Sequence, residues 1–469
     1  MSRDIVIVFD CGATNVRAIA INSRGEILAS ASCPNSTRPD PFYPAYRIWD
    51  ISEIWDKMCL ASRKVITSIN PREIAGVTIT TFGVDGAPFS SDGLMLYPVI
   101  SWQCDRTKAV MADIEKYIPL TDLYRENGVL PFNFNTINKL IWFRENRPDI
   151  LDKSARFLFM PSIFTFLLTG EMANDVTMAG TSMMTDLASR GFSENILGRI
   201  GIGKDFMGPL AEPGTIVGNV TLKASGEISI PAGTPVVATG HDTQFAVFGS
   251  GADRNQPVLS SGTWEILMVR AGDFKTGTEQ LELGITTELD ARPGLFNIGN
   301  QWIASGIIEW ARRNLFSESG DDAYQKMIEG AERVPPGSNG IRVVPRFYEE
   351  MRGKPEGQIL GLTMESTRDE IFRAILEALS ERLAEGKRAL ENAGGFRAGS
   401  ILCVGGGSKN RLWNKLRSNY TGVPVKIISH KETTVLGASL FVQAAIGNFS
   451  SPEAARSVID YKTETIEPD

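Results

Sequence analysis

Short apolar runs alternate with helix-spaced stretches along most of the chain. Residues 5–9 form an apolar run suited to a buried strand, and residues 16–21 supply a second after the turn Cys11-Gly12-Ala13-Thr14. Asn22-Ser23-Arg24-Gly25 signals a turn, and residues 26–30 read as a third strand. Helical spacing over 51–69 leads to a strand at 77–81 and a glycine turn, Phe82-Gly83-Val84-Asp85-Gly86. The second half repeats this logic. Residues 257–269 read as strand, Gly-Thr turn and strand, and 401–404 run into Gly405-Gly406-Gly407. Between them Thr367-Arg368-Asp369-Glu370 fits a capping box that opens a helix to about residue 392, with Gly394-Gly395 as its stop. Its apolar positions Ile371, Ala374, Ile375, Ala378 and Leu379 keep helical spacing and predict core. The pattern predicts an α/β fold of two related halves, 1–245 and 246–469. The 39–44 stretch, with its three prolines, reads as a surface loop, and the basic residues scattered over 342–354 as a solvated one.

Composition narrows the function more than the fold. At 469 residues and 42% hydrophobic, the chain has ample material for packed cores. Lys plus Arg number 48 against 55 acidic residues, a net charge of −7, which argues against a nucleic-acid-binding protein. The five cysteines, at 11, 33, 59, 104 and 403, form no C-x-x-C pair and read as reduced thiols of a cytoplasmic protein. With only His241 and His430, a site of several histidine ligands is nearly excluded. The longest apolar stretches, such as 440–447, fall far short of the roughly 20 residues that span a bilayer, and no signal peptide is expected ahead of the first strand. The sequence is compatible with a homodimer but marks no face for one.

Four glycine turns carry the chemistry. In Asp10-Cys11-Gly12-Ala13-Thr14-Asn15-Val16-Arg17 a carboxylate ends a strand and a small-residue turn follows. Backbone amides and a hydroxyl there suit phosphate oxygens, and Asp10 suits a hydrated Mg²⁺; an ordinary hairpin with a nearby Asp looks the same. Ser260-Ser261-Gly262-Thr263-Trp264-Glu265 is a second hydroxyl-rich hairpin, and together the two suggest opposed phosphate clamps. Gly240-His241-Asp242-Thr243-Gln244 enters a short helix. Asp242 there is either a helix cap or a general base for a substrate hydroxyl, and His241 reads as a structural neighbour. Gly405-Gly406-Gly407-Ser408-Lys409-Asn410 follows a strand and allows close approach of a flat or anionic ligand, with Asn410 as a polar contact. Trp102 is either a sugar-stacking ring or core, and Glu309 is expected in a salt bridge.

These motifs, in this order, resemble the FGGY carbohydrate kinases of the actin/hexokinase/Hsp70 superfamily. The stretches DCGATNVRAIA, TTFGVDGA, LYPVISWQC with Arg106-Thr107 after it, GHDTQFAVFG and PVLSSGTWEILMVR are most similar to the L-fuculose-phosphorylating branch. The resemblance implies two ribonuclease-H-like domains with ATP and a sugar in the cleft between them. It implies Asp242 as base and Asp10 with Asp242 at Mg²⁺. Thr14, Asn15, Arg17, Gly262 and Thr263 would lie towards the phosphates, and Gly306, Gly405, Gly406 and Asn410 towards the nucleotide. Gly83, Asp85, Trp102 and Arg106 would lie towards the sugar. The implied reaction is phosphorylation of the 1-hydroxyl of L-fuculose. The alternatives are another deoxyketose or ketose such as L-rhamnulose, or a non-catalytic nucleotide-binding protein. Many members of the family carry Gly-Thr-Thr in the first turn where this chain has Gly12-Ala13-Thr14, so one hydroxyl is missing.

Overall fold

A computed structural model describes residues 3–347, 355–428 and 432–469. The first sheet contains β1 (Ile5–Cys11), β2 (Asn15–Ile21), β3 (Ile27–Pro34), β4 (Ile74–Thr81), β5 (Ile216–Asn219) and β6 (Pro235–Val237), in the order β5-β6-β4-β1-β2-β3. The second contains β7 (Val258–Ser261), β8 (Trp264–Ala271), β9 (Thr286–Leu289), β10 (Phe296–Ile303), β11 (Ile401–Val404), β12 (Val425–Ile428) and β13 (Thr463–Ile466). Their order is β9-β10-β8-β7-β11-β12-β13. In each sheet the opening strand pairs antiparallel with the next and parallel with a later one, β4 or β11. The parallel edge then continues to β6 or β12. The chain thus folds as two sheets of one ribonuclease-H-like scheme, the actin-like two-domain architecture.

Alternation along β1 shows why both faces must be covered. Ile5, Ile7 and Phe9 pack with Ile54 and Met58 of α1 (Ile51–Ile66), whereas Val6 and Val8 pack with Val435, Leu436 and Phe441. The latter belong to α7 (Thr433–Ala445), from the C-terminal half of the chain. The helix α3 (Asp242–Gly249) spans the 245/246 seam expected from the sequence. It touches α7 backbone to backbone: a Cβ on Gly249 would stand 2.0 Å from the Thr433 carbonyl, and one on Gly437 2.0 Å from that of Phe245.

A third apolar cluster, around Leu140, Ile141, Phe157 and Phe159, lies between β4 and β5 in sequence. It carries α2 (Thr136–Asn146) and the loop before it. On the second sheet, α5 (Arg368–Gly394) buries Leu379 and Leu383 against Leu267 and Ile298. Its capping box is formed, with the Thr367 amide donating to Glu370 Oε2 at 2.7 Å, and Gly395 ends it in the left-handed region at φ 63°. The 39–44 loop is mostly exposed but holds a buried carboxylate, Asp40. Of the basic stretch 342–354, Arg342–Val344 pairs as a strand with Gln358–Leu360. Residues 348–354 lie outside the described residues, as does His430.

Candidate active site

Two cavities meet at the start of α3. The smaller, of about 380 Å³, is bounded by Gly83, Trp102, Phe132, Phe134 and His241 from the first half of the chain, and by Thr286, Glu288, Asn300 and Gln301 from the second. The larger, of about 990 Å³, runs along Ser260, Val404, Gly405, Gly406, Lys409 and Thr434. Asp242, Thr243, Ile266 and Met268 line both.

Local sequence explains why Asp242 stands there. Gly240 has no substitute, because a Cβ would lie 2.1 Å from Oδ1 of the buried Asp175. That Asp175 accepts the Thr177 hydroxyl at 2.5 Å, and Thr177 in turn accepts the His241 amide at 2.9 Å. His241 caps α3 in extended geometry, and Asp242 is the first helical residue. Asp242 Oδ1 accepts the Thr243 amide at 2.6 Å, and among the described residues no hydrogen bond engages Oδ2. The side chain keeps 32% exposure to the cleft, yet its surroundings raise the carboxyl above the ordinary Asp value. Burial is the main cause, opposed by His241 and reinforced by Asp10. His241 stands with Nε2 3.6 Å from Asp242 and Nδ1 3.5 Å from Glu288. Burial alone would lower its pKa, but Glu288, Asp242 and Asp175 outweigh that and raise it.

The two hairpins close alike, Gly12 N donating to the Asn15 carbonyl at 2.8 Å and Gly262 N to that of Trp264 at 3.0 Å. Thr14, Asn15 and Thr263 are exposed at the tips. Asp10 is held by Arg17, whose Nη2 lies 2.5 Å from Oδ2, and Arg17 also reaches Glu432, just before α7, at 2.9 Å. Gly306, the second residue of α4 (Ser305–Leu315), donates its amide to the Thr263 carbonyl at 3.2 Å. Glu309 on that helix is paired with Arg312 at 2.7 Å.

The three glycines of the fourth turn do different things. Gly405 has φ 91°, and a Cβ there would meet the Ser261 carbonyl at 2.7 Å; one on Gly407 would meet Ser261 Oγ at 2.1 Å. Both are required by the close approach of the second hairpin. Gly406 has nothing within 4 Å and is the open one. Asn410 is the N-cap of α6 (Arg411–Thr421), accepting the Trp413 amide at 3.0 Å. Beneath, fully buried Arg417 pairs with Glu265, donates to Ser261 Oγ at 2.7 Å and lies 3.6 Å over the Trp413 ring. Hairpin, glycine turn and α6 are therefore tied to one another.

On the other side of Asp242, Gly83 sits against His241: a Cβ would come 3.1 Å from Nε2. Trp102 faces the cavity, its Nε1 buried without a partner among the described residues. Asp85 and Arg106, expected towards the sugar, are not among the residues that line the cavity. Asp85 is fully buried, with Oδ1 paired to Lys139 and Oδ2 accepting Trp49 Nε1 at 2.7 Å and the Trp102 amide at 3.0 Å. Arg106 is 4% exposed, bound to Asp40 at 2.6 Å and lying 4.7 Å over Tyr46 and Trp142. Arg106→Ala should therefore lower stability by about 3–5 kcal/mol in urea unfolding, because it strands the Asp40 charge. A raised KM for sugar at unchanged stability would instead return Arg106 to the site. Phe132, Phe134, Glu288, Asn300 and Gln301 were not singled out from the sequence. They carry no local motif and meet only through tertiary packing.

Residues 5–249 match the N-terminal domain of the FGGY family of carbohydrate kinases, and residues 258–446 its C-terminal domain. The chain belongs to this family of sugar kinases. The FGGY kinase is 42% identical to L-fuculokinase of Escherichia coli, over 98% of this chain and 97% of the relative. It is 41% identical to L-fuculokinase of Haemophilus influenzae, over 99% of both. Its fold is similar to that of xylulose kinase from Rhodospirillum rubrum, with a TM-score of 0.90 at 21% identity, covering 99% of this chain and 94% of that one. Among the described residues of the FGGY kinase no group of three or more His, Cys, Asp or Glu forms a metal cage. Asp10 is near enough to Asp242 to help raise its carboxyl. Two such carboxylates fit Mg²⁺, which is bound through one or two protein carboxylates plus water and substrate phosphates. No helix among the described residues is long and apolar enough to cross a membrane.

Proposed function

We propose that this FGGY kinase transfers the γ-phosphoryl group of ATP to the 1-hydroxyl of L-fuculose, giving L-fuculose 1-phosphate and ADP. The observation that carries the reading is Asp242 in the partition between a small cavity and a large one. A phosphoryl acceptor in the small cavity and a nucleotide in the large one would both reach it. The sugar rests on relatives named L-fuculokinase, 42% and 41% identical over nearly the whole chain.

In this mechanism the hydroxyl oxygen attacks the γ-phosphorus as its proton passes to the Asp242 carboxylate. The bond from phosphorus to the ADP oxygen breaks in line. The hydroxyls of Thr14 and Thr263, exposed at the hairpin tips, donate to phosphate oxygens, as preorganised dipoles do where charge develops. The open face of Gly406 admits the nucleotide. Mg²⁺, which Asp10 and Asp242 would hold, supplies neutralisation of phosphate charge. Five free, buried cysteines suit the reducing cytoplasm, where such a kinase would meet ATP.

A coupled ADP-release assay with Mg·ATP against L-fuculose, L-rhamnulose, L-ribulose, D-xylulose and glycerol tests the reading. L-fuculose should give the highest kcat/KM. A higher value for another ketose would move the substrate and keep the mechanism. ATP binding without turnover of any of them would sink the kinase reading in favour of a nucleotide-binding role.

A further inference from the structure

The small cavity has one markedly apolar side. Residues 128–135 bring Val129, Leu130, Phe132 and Phe134 to it, next to Trp102. Phe132 and Phe134 are only half-buried and stack on each other with centroids 4.8 Å apart and planes 10° apart. Phe134 meets Trp102 edge-on at 6.2 Å. The loop is held in place. Asn135 accepts the Phe132 amide at 2.7 Å and donates to the Thr181 carbonyl at 3.1 Å, while Asn138 donates to the Phe132 carbonyl at 2.9 Å. From the other half of the chain, the Thr287 amide donates to the Gly128 carbonyl at 2.8 Å. The wall is therefore built before any ligand arrives.

We infer that Leu130, Phe132 and Phe134 form a methyl-selecting subsite that makes a 6-deoxyketose the preferred acceptor over the same ketose bearing a 6-hydroxyl. This rests on the kinase reading above, with the 1-hydroxyl at Asp242. A 6-deoxyketose carries oxygen on every carbon but the last. Its hydroxyls need polar partners such as Gln301, whose side chain is exposed in the lining. Phenyl and leucyl groups offer none, so a hydroxyl against them gives up water without replacement, while a methyl group gains by burial.

The experiment compares kcat/KM for L-fuculose with that for its 6-hydroxy counterpart, L-tagatose, with saturating Mg·ATP. The wild-type enzyme should favour L-fuculose by about 10- to 200-fold, the range one methyl-sized difference gives in an apolar pocket. Phe134→Gln should cut that ratio by roughly 10-fold or more, with the KM for ATP unchanged, whereas Phe134→Leu should keep it. If Phe134→Gln fails to fold, Phe132→Tyr and Phe134→Tyr put a single hydroxyl on the wall and should move the ratio the same way. Equal turnover of both sugars by the wild type would overturn the inference and leave the kinase reading standing, as would a ratio untouched by the polar variants. Failure to phosphorylate any ketose would overturn the kinase reading itself, and this inference with it.

Discussion

Asp242→Asn should lower kcat by about 10²- to 10⁴-fold, the usual contribution of a positioned general base, and leave ADP affinity near that of the wild type. Asparagine keeps an oxygen for the Thr243 amide, which donates to Asp242 Oδ1 at 2.6 Å, so the start of α3 should survive. What it cannot do is accept a proton. If Asp242 served only to begin the helix, asparagine would be an adequate replacement and kcat would change little; that result would remove the base from the mechanism. The pH profile gives a second handle. Because burial and Asp10 raise the Asp242 carboxyl, the acid limb of kcat/KM should lie above the ordinary carboxylate value of about 4. The protonated form is inactive, so activity rises with pH through that raised pKa. The residual activity of Asp242→Asn should lack this limb. An initial-rate series from about pH 4 to 9 on both proteins, bracketing the carboxylate and imidazole ranges, measures it.

What the sequence made legible follows from how local each signal is. β1 could be read because all seven of its residues are buried and apolar residues dominate it. The bounds of α5 could be read because Thr367, Glu370 and Gly395 satisfy its end groups from within a few residues. Strand-then-glycine steps located both hairpins and the Gly405–Gly407 turn for the same reason. The roles of individual polar side chains did not follow. Asp85 sits in a glycine turn beside the cavity, but its partner Lys139 is 54 residues away; Arg106 meets Asp40 across 66. Nothing near either residue tells a buried counter-ion from a sugar ligand. Asn410 belongs to the right turn, yet its side chain is engaged as a cap on its own helix. Phe132 and Phe134 carry no signal of their own, because a wall facing a cavity and one facing packed side chains use the same amino acids. The seam at 245/246 fell inside a helix because α3 and α7 pack across it, and glycines 188 residues apart in sequence, 249 and 437, permit that contact.

Lys139→Met should destabilise the enzyme by about 3–5 kcal/mol, the penalty for removing one partner of a buried ion pair. Against a typical total of about 5–15 kcal/mol, that is a large share of the stability of a domain. Lys139 is 1% exposed and Asp85 is fully buried, so no water replaces the lost ammonium group. The ammonium also donates to the Val84 carbonyl at 3.0 Å, a bond methionine cannot make. Burial already pushes the Asp85 carboxyl above its ordinary value, against the pull of Lys139 and the hydrogen bonds from Trp102 and Trp49. Without Lys139 the folded-state pKa should rise further above the unfolded one. Stability from the protonated form is then present below the unfolded pKa and lost as pH rises through the folded pKa. The deficit of Lys139→Met relative to wild type should accordingly shrink as pH falls towards about 4. Adding Asp85→Asn removes the stranded charge while keeping an acceptor for Trp49, so the double variant should recover most of the loss in urea unfolding. A double variant as unstable as Lys139→Met would show that the charge is not the cause. Function should report the same linkage. The Trp102 amide hangs on Asp85 Oδ2 at 3.0 Å and the Trp102 ring lines the small cavity. Folded Lys139→Met should therefore show a raised KM for the sugar, with the KM for ATP, whose cavity shares no wall with Trp102, left unchanged.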